Sequence, residues 1–334
     1  MSEDEEVKQK LRKPLTVLCL LIVAIFSVYV IYYYSKRSSF TATILADTDT
    51  TNGVDIISYP ASEANFTNTL IYSATLPLAI AGHEEMLGVA NTERQQWLNN
   101  ESRIDPANYV IAVDNDPSAL QDTVTQRISA KFHNHPPVEV ETAASGFTIF
   151  TYLLKKVTLP EIFKKTQLTF AGENVHGISW LPSGDTSTSQ VRLSQGPFIA
   201  TAVISLSHNE ELWLVKSARP VSMLKIFEEA DSIHRLNVSA AFNGDDELIF
   251  PMLDFAISGS SGQLDLNVIS KAEQVVKMSI SADKGTAAES NPARGKSTWY
   301  FDGPYLLCIK QNSGSLPYFM MWVGNGTLLQ KVRE

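Results

Sequence analysis

Hydrophobic residues fall along this chain in runs of distinct period, and each period predicts an element. Leu15 to Tyr34 is apolar and uncharged throughout. Further on the runs shorten and turn residues bound them. Tyr305 to Lys310 and Tyr318 to Val323 flank the polar stretch Gln311 to Ser315, which predicts a buried hairpin. Phe198 to Leu206 and Leu212 to Lys216 predict another around Ser207 to Glu210. Gly146 to Phe170 opens on a nearly continuous apolar run, as a central strand covered on both faces would. Between Ser270 and Gly285 the period is two: Val276, Met278, Ile280 and Ala282 alternate with Lys277, Ser279, Ser281 and Asp283. Helical stretches are interleaved. Thr69 to Asn99 reads as a short strand followed by helices, and Val221 to Leu236 as a helix. Asp116-Pro117 puts a capping acid before a proline at the first helical position, so Ser118 to Phe132 continues as an amphipathic helix. The predicted class is α+β, mixed β-sheets with helices, preceded by one transmembrane helix.

At about 1.5 Å per residue, Leu15 to Tyr34 makes a helix of about 30 Å, the thickness of the hydrocarbon layer. The run ends in Tyr32, Tyr33 and Tyr34, then Lys36 and Arg37, rather than in the small residues of a cleavage site, which predicts an uncleaved anchor in the bilayer. Lys8, Lys10, Arg12 and Lys13 precede it, so the positive-inside bias leaves the N-terminus in the cytoplasm and the large domain extracellular or lumenal. The expected organisation is a cytoplasmic tail over 1–13, the anchor over 14–35, a stalk or lead-in rich in Ser, Thr and Asp over 36–64, and a folded domain over 65–334. Glycosylation sequons stand at Asn65, Asn100, Asn237 and Asn325, all beyond the span. With 334 residues, 44% of them hydrophobic and 19% charged, the chain can bury one full-sized core after the span is set aside.

Charge and candidate chemistry narrow the function. A net charge of −9, from 36 acids against 27 bases, offers no basic face for a nucleic acid. Cys19 lies in the membrane run and Cys308 in a predicted core strand, so no bridge between them is expected. His83-Glu84-Glu85 opens like a zinc-peptidase helix, but Leu87 occupies the second histidine position. Asp114 and Asp116 lack the glycine and closing glutamate of a calcium loop. His133 and His135 have no third ligand at a recognisable spacing and read as solvated loop residues. Gly259-Ser260-Ser261-Gly262 approaches a nucleophile elbow, but Gln263 replaces the glycine that Ser261 would need, leaving a flexible polar turn. No metal, no cofactor and no enzymatic activity are expected.

Several of these stretches, taken in order from Thr69 to Asn325, resemble the serpins, a family of serine-peptidase inhibitors. Pro77, Leu78, Ala79 and Ile80, with Gly88 and Thr92, are similar to the family's first buried strand and second helix. Lys155, Lys156, Pro160, Phe163, Lys165, Thr166 and Phe170 keep the order of its long central strand and following turn. There Phe150 and Thr158 replace the family's Asn and Trp, in the part of the sheet that opens. Phe301, Pro304, Tyr305, Asn312, Phe319 and Met320 resemble its last two strands. The run Asp283-Lys284-Gly285-Thr286-Ala287-Ala288 matches its reactive-loop hinge, with Asp for Glu.

The resemblance implies a serine peptidase as partner and a loop offered as bait, which inserts into the central sheet once it is cut. Asp283, Gly285, Thr286, Ala287 and Ala288 would form the hinge. Arg294, Gly295 and Lys296 would carry the bait, with the Arg294–Gly295 bond suited to a trypsin-like enzyme. Thr286, Ala288 and Ser290 have the small inward side chains that insertion needs, but Pro292 lacks the N–H of a central strand. From Thr286 to Arg294 the chain extends only about 26 Å. The expectation is a membrane-tethered serpin-like protein that binds a peptidase or inhibits it weakly, with impaired loop insertion. The alternatives are a fully inhibitory protein cleaved near Arg294 and an unrelated receptor or adhesion ectodomain.

Overall fold

Three β-sheets and the helices laid on them carry the fold of the computed structural model, which describes residues 53–57, 59–61, 64–88, 104–133, 135, 137–181, 190–206, 209–236, 247–261, 269–282 and 299–332. In chain order the strands are β1 (Val54–Ile57), β2 (Thr69–Ser73), β3 (Tyr109–Asp114), β4 (Phe147–Leu159), β5 (Phe163–Phe170), β6 (Glu173–Trp180), β7 (Val191–Gln195), β8 (Ile199–Ser205), β9 (Glu210–Ser217), β10 (Leu248–Pro251), β11 (Leu253–Ser261), β12 (Ile269–Ala282), β13 (Tyr305–Gln311) and β14 (Phe319–Val323). The α-helices among the described residues are α1 (Thr75–Met86), α2 (Pro117–Lys131) and α3 (Met223–Arg235).

A seven-stranded sheet runs in the order β1-β2-β14-β13-β9-β8-β7, a four-stranded sheet β11-β12-β4-β3, and a three-stranded sheet β10-β6-β5. The predicted C-terminal hairpin, β13 with β14, lies in the middle of the largest sheet, where strands on either side keep it from water and every residue of β14 is buried. That position explains its unbroken apolar run. One large core joins β2, β9, β13 and β14 to the core faces of β4, β11 and β12 and to α3. The alternation read between Val276 and Ala282 is the observed burial pattern of β12.

Local chemistry sets the helix starts. Asp116 accepts from the backbone N–H of Ser118 at 2.8 Å and of Ala119 at 3.3 Å, with Pro117 inside the first turn, and Leu120, Val124 and Ile128 follow at helical spacing on the buried face. Ser222 caps α3 through Lys225 N–H and precedes the buried stripe of Met223, Ile226, Phe227 and Ala230.

The structure differs from the sequence reading in several places. Phe163–Phe170 and Glu173–Trp180 form a tight hairpin where only a turn was expected; its two central residues, Ala171 (φ 48°) and Gly172 (φ 92°), both take the left-handed backbone of the turn that matches strand twist. Gly259 to Ser261 is no flexible polar turn. It is the end of β11, paired with Gln274 to Ala272, and a Cβ on Gly259 would meet Ile56 Cδ1 at 2.7 Å. Within the segment expected as a lead-in, Val54–Ile57 form β1, parallel to β2, with Val54 in the main core. The predicted membrane run 15–34 and Cys19 lie outside the described residues, and among the described residues no helix is long and apolar enough to cross a membrane. Cys308 is a free, buried thiol whose pKa burial pushes up.

Candidate functional site

Strands β4 and β12 lie side by side and parallel, in register from Ile269 opposite Phe147 to Ala282 opposite Leu159. Residues 283–298 leave the end of β12 at this seam. The described chain resumes at Trp299, which is buried against a different sheet: Ile249 N–H donates to Trp299 O at 3.1 Å and Phe301 N–H to Ile249 O at 2.8 Å, so the chain returns along β10. The expected hinge (Asp283, Gly285, Thr286, Ala287, Ala288) and bait (Arg294, Gly295, Lys296) all fall between these anchor points, outside the described residues.

On the core face of the seam Lys155, opposite Met278, stands between the apolar Leu153 and Val157. A buried ammonium requires a carboxylate, and it finds Glu210 at the start of β9 in the seven-stranded sheet. Tyr318 O–H donates to the other oxygen of Glu210 at 2.7 Å, and Gln311 Nε2 donates to it at 3.3 Å. Burial, then the neighbouring carboxylate, pushes the Tyr318 phenol well above its ordinary pKa. This cluster ties β4 to the sheet beneath it.

On the opposite face a second cluster crosses the seam. His135 Nε2 meets both the Tyr152 hydroxyl of β4 and, at 2.9 Å, the Lys277 ammonium of β12. Its ring sits edge-on to Tyr152 with centroids 5.1 Å apart, and burial raises the pKa of the Tyr152 phenol. His135 was expected in solvent beside His133. His133 is exposed, but His135 is half-buried because the chain folds back from α2 onto the sheet. Farther along this face Glu273 accepts from Glu141 N–H at 2.9 Å, while Gln274, on the parity of Val276, donates to Thr75 Oγ1 at 2.9 Å. Burial raises the pKa of Glu273.

The described sequons differ. Asn65 is exposed, and its Oδ1 accepts from the Thr67 hydroxyl at 2.7 Å and the Thr67 N–H at 3.1 Å. Asn325 is half-buried: its Nδ2 donates to Gly53 O at 2.8 Å, and its Oδ1 accepts from Thr69 Oγ1 at 3.2 Å. The adjacent Gly324 packs so closely that a Cβ would meet Asn68 O at 2.3 Å. Asn100 and Asn237 lie outside the described residues. Among the described residues no group of His, Cys, Asp and Glu converges to hold a metal.

Sequence reasoning missed the Lys155–Glu210 pair. Its signal was available, since Lys155 falls on the parity of Leu153, Val157 and Leu159, where a lone charge demands a partner.

No family model matches the chain. No curated protein matches it. Among solved structures it is similar to the crystal structure of native protease nexin-1 with heparin, at 12% sequence identity and a TM-score of 0.49, over 78% of this chain and 93% of that one.

Proposed function

We propose that the chain is a membrane-tethered serpin-like protein that presents residues 283–298 to an extracellular or lumenal serine peptidase, and that it binds the enzyme or inhibits it weakly because loop insertion is impaired. The observation that carries this reading is the parallel β4–β12 seam, whose β12 side runs directly into the hinge-like sequence. A strand entering from Ala282 and doubling back would lie antiparallel to both neighbours. This is the arrangement that the resemblance implies for a cleaved loop.

The same geometry argues for impaired insertion. The paired length of β4 is about 40 Å, whereas Thr286 to Arg294 reaches about 26 Å. Pro292 falls within the segment that would have to donate ladder hydrogen bonds. Opening the seam also works against the polar clusters on its two faces, because β4 is pinned through Lys155 to β9 while His135 joins β4 to β12.

Incubation with a trypsin-like peptidase, followed by denaturing electrophoresis and mass spectrometry, tests the proposal. The expected result is cleavage after Arg294 or Lys296 with the remainder of the domain resistant and no SDS-stable adduct. A covalent complex would establish efficient trapping instead, and resistance of the 283–298 segment would remove the bait altogether.

A further inference from the structure

Strand β3 runs along the edge of the four-stranded sheet with a helix against each face. Ile111 and Val113 pack toward α1, and Val110 and Ala112 pack toward α2. Among the described residues no strand lies beyond β3. The edge thus floors a groove of about 970 Å³, walled on one side by Leu78, His83 and Met86 of α1 and on the other by Arg127 and Lys131 of α2. Its size is that of a large ligand cleft, roughly 300–1,000 Å³ in general.

An open strand edge invites pairing, and charged side chains commonly blunt it. Here the Arg127 guanidinium donates to Ile111 O, while the Lys131 ammonium donates to Tyr109 O and Pro106 O, each at 2.6 Å. These bonds show that the carbonyls of Tyr109 and Ile111 face away from β4. In an antiparallel ladder the N–H of such a residue faces the same way, so Ile111 also turns its donor into the groove, and Val113 shares that parity. An independent observation comes from the α1 wall. His83 is 3% exposed, neither ring nitrogen has a hydrogen-bond partner among the described residues, and the ring stands 4.7 Å from that of Phe147. An imidazole withheld from water with neither nitrogen bonded is costly, and it borders the same groove.

We propose that the β3 edge accepts an extended peptide of another protein, one alternating apolar and acidic residues, as an added strand. Its backbone would take the outward N–H groups of Ile111 and Val113 and supply donors to Tyr109 O and Ile111 O. The Arg127 and Lys131 cations released from those carbonyls would then meet its carboxylates, which is the strand-addition mode of peptide recognition. Charge selects this occupant over a second copy of the chain. Pairing β3 with β3 would bring the Arg127 and Lys131 cations of each copy together, and like charges across a pair repel.

The test is fluorescence anisotropy of the full chain with a labelled peptide of alternating valine and glutamate, together with the same peptide N-methylated at every second residue in either parity. Saturable binding is expected, abolished by methylation in one parity and kept in the other, and weakened about tenfold or more by Arg127→Glu with Lys131→Glu. Equal effects of the two parities, indifference to the charge reversal, or no saturation up to about 1 mM peptide would each overturn the proposal. So would self-association in sedimentation that is lost in Ile111→Pro, which would assign the edge to a second copy. The methylation series uses the unaltered protein, so it stands even if the charge-reversed variant folds poorly.

Discussion

Lys155 on β4 and Glu210 on β9 form an ion pair shielded from water, and the Tyr318 hydroxyl holds the second carboxylate oxygen. Removing one partner strands the other. Lys155→Met is expected to lower unfolding free energy by about 3–5 kcal/mol, and Lys155→Met with Glu210→Leu and Tyr318→Phe, which also removes the hydroxyl that Glu210 would leave unpaired, to recover most of that loss. Urea melts of the single and triple variants check this, and a single variant as stable as the parent would show that the pair is not buried in solution.

Cleavage after Arg294 or Lys296 is expected to leave the melting temperature within about 4 °C of the intact domain, the effect of about 1 kcal/mol in a fold of this size. Differential scanning calorimetry of intact and nicked protein supplies the comparison. A rise of more than about 10 °C would mean that the cut segment has become a strand between β4 and β12.

Asn325 and Asn65 should behave differently. Asn325→Ala loses the bonds to Gly53 and Thr69 and is expected to cost about 1–2 kcal/mol, whereas Asn65→Gln stays within about 0.5 kcal/mol of the parent. The Asn325 amide nitrogen already donates to Gly53 O, so a glycan on that atom competes with the folded arrangement. In a glycosylating host the mobility shift reversed by a glycosidase should shrink by one glycan with Asn65→Gln and keep its full size with Asn325→Gln, whatever Asn100 and Asn237 carry. The opposite pattern would show that the Gly53 contact forms after modification or not at all.

Acid should weaken the fold through two imidazoles. Burial is the main cause lowering the pKa of both His83 and His234. Glu84 opposes the shift at His83; at His234, Arg192 and Lys310 add to it, while Glu211 and Asp231 oppose it. The unfolded chain therefore takes up these protons at a higher pH than the folded one. The stability is complete above the ordinary histidine pKa of about 6.5, falls as pH drops through that value, and levels off below the lowered folded values. Melting temperatures across this window should show the decline, and His83→Phe should flatten it. An unchanged slope in that variant would place His83 in water.

Much of the framework was legible because a central strand must be apolar on both faces and a one-sided strand must alternate. The β13–β14 hairpin and β12 announce themselves in this way, and the Asp116 and Ser222 caps mark their helices. The β5–β6 hairpin was harder. Thr166 and Lys165 dilute its apolar positions, and the turn at Ala171-Gly172 carries only one glycine. The polar clusters were less accessible still, since Lys155 and Glu210 lie 55 residues apart in the chain. Parity can show that Lys155 needs a partner but cannot say which strand the fold brings beneath it. His135 looked like its neighbour His133, and only the return of the chain onto Tyr152 distinguishes them.

The parallel pairing of β1 with β2 has a mechanical consequence. Gly53, where the described chain enters the sheet, accepts hydrogen bonds from both Thr69 N–H and Asn325 Nδ2. Tension applied upstream along the β1 axis would load the four registered pairs from Val54–Thr69 to Ile57–Tyr72 together, in shear, instead of peeling them one at a time. A protein held by its N-terminal side would therefore pass a tug from the edge strand of its largest sheet into β2, and optical-tweezers records should show a higher rupture force for pulling from Gly53 than from a handle placed at Ser73.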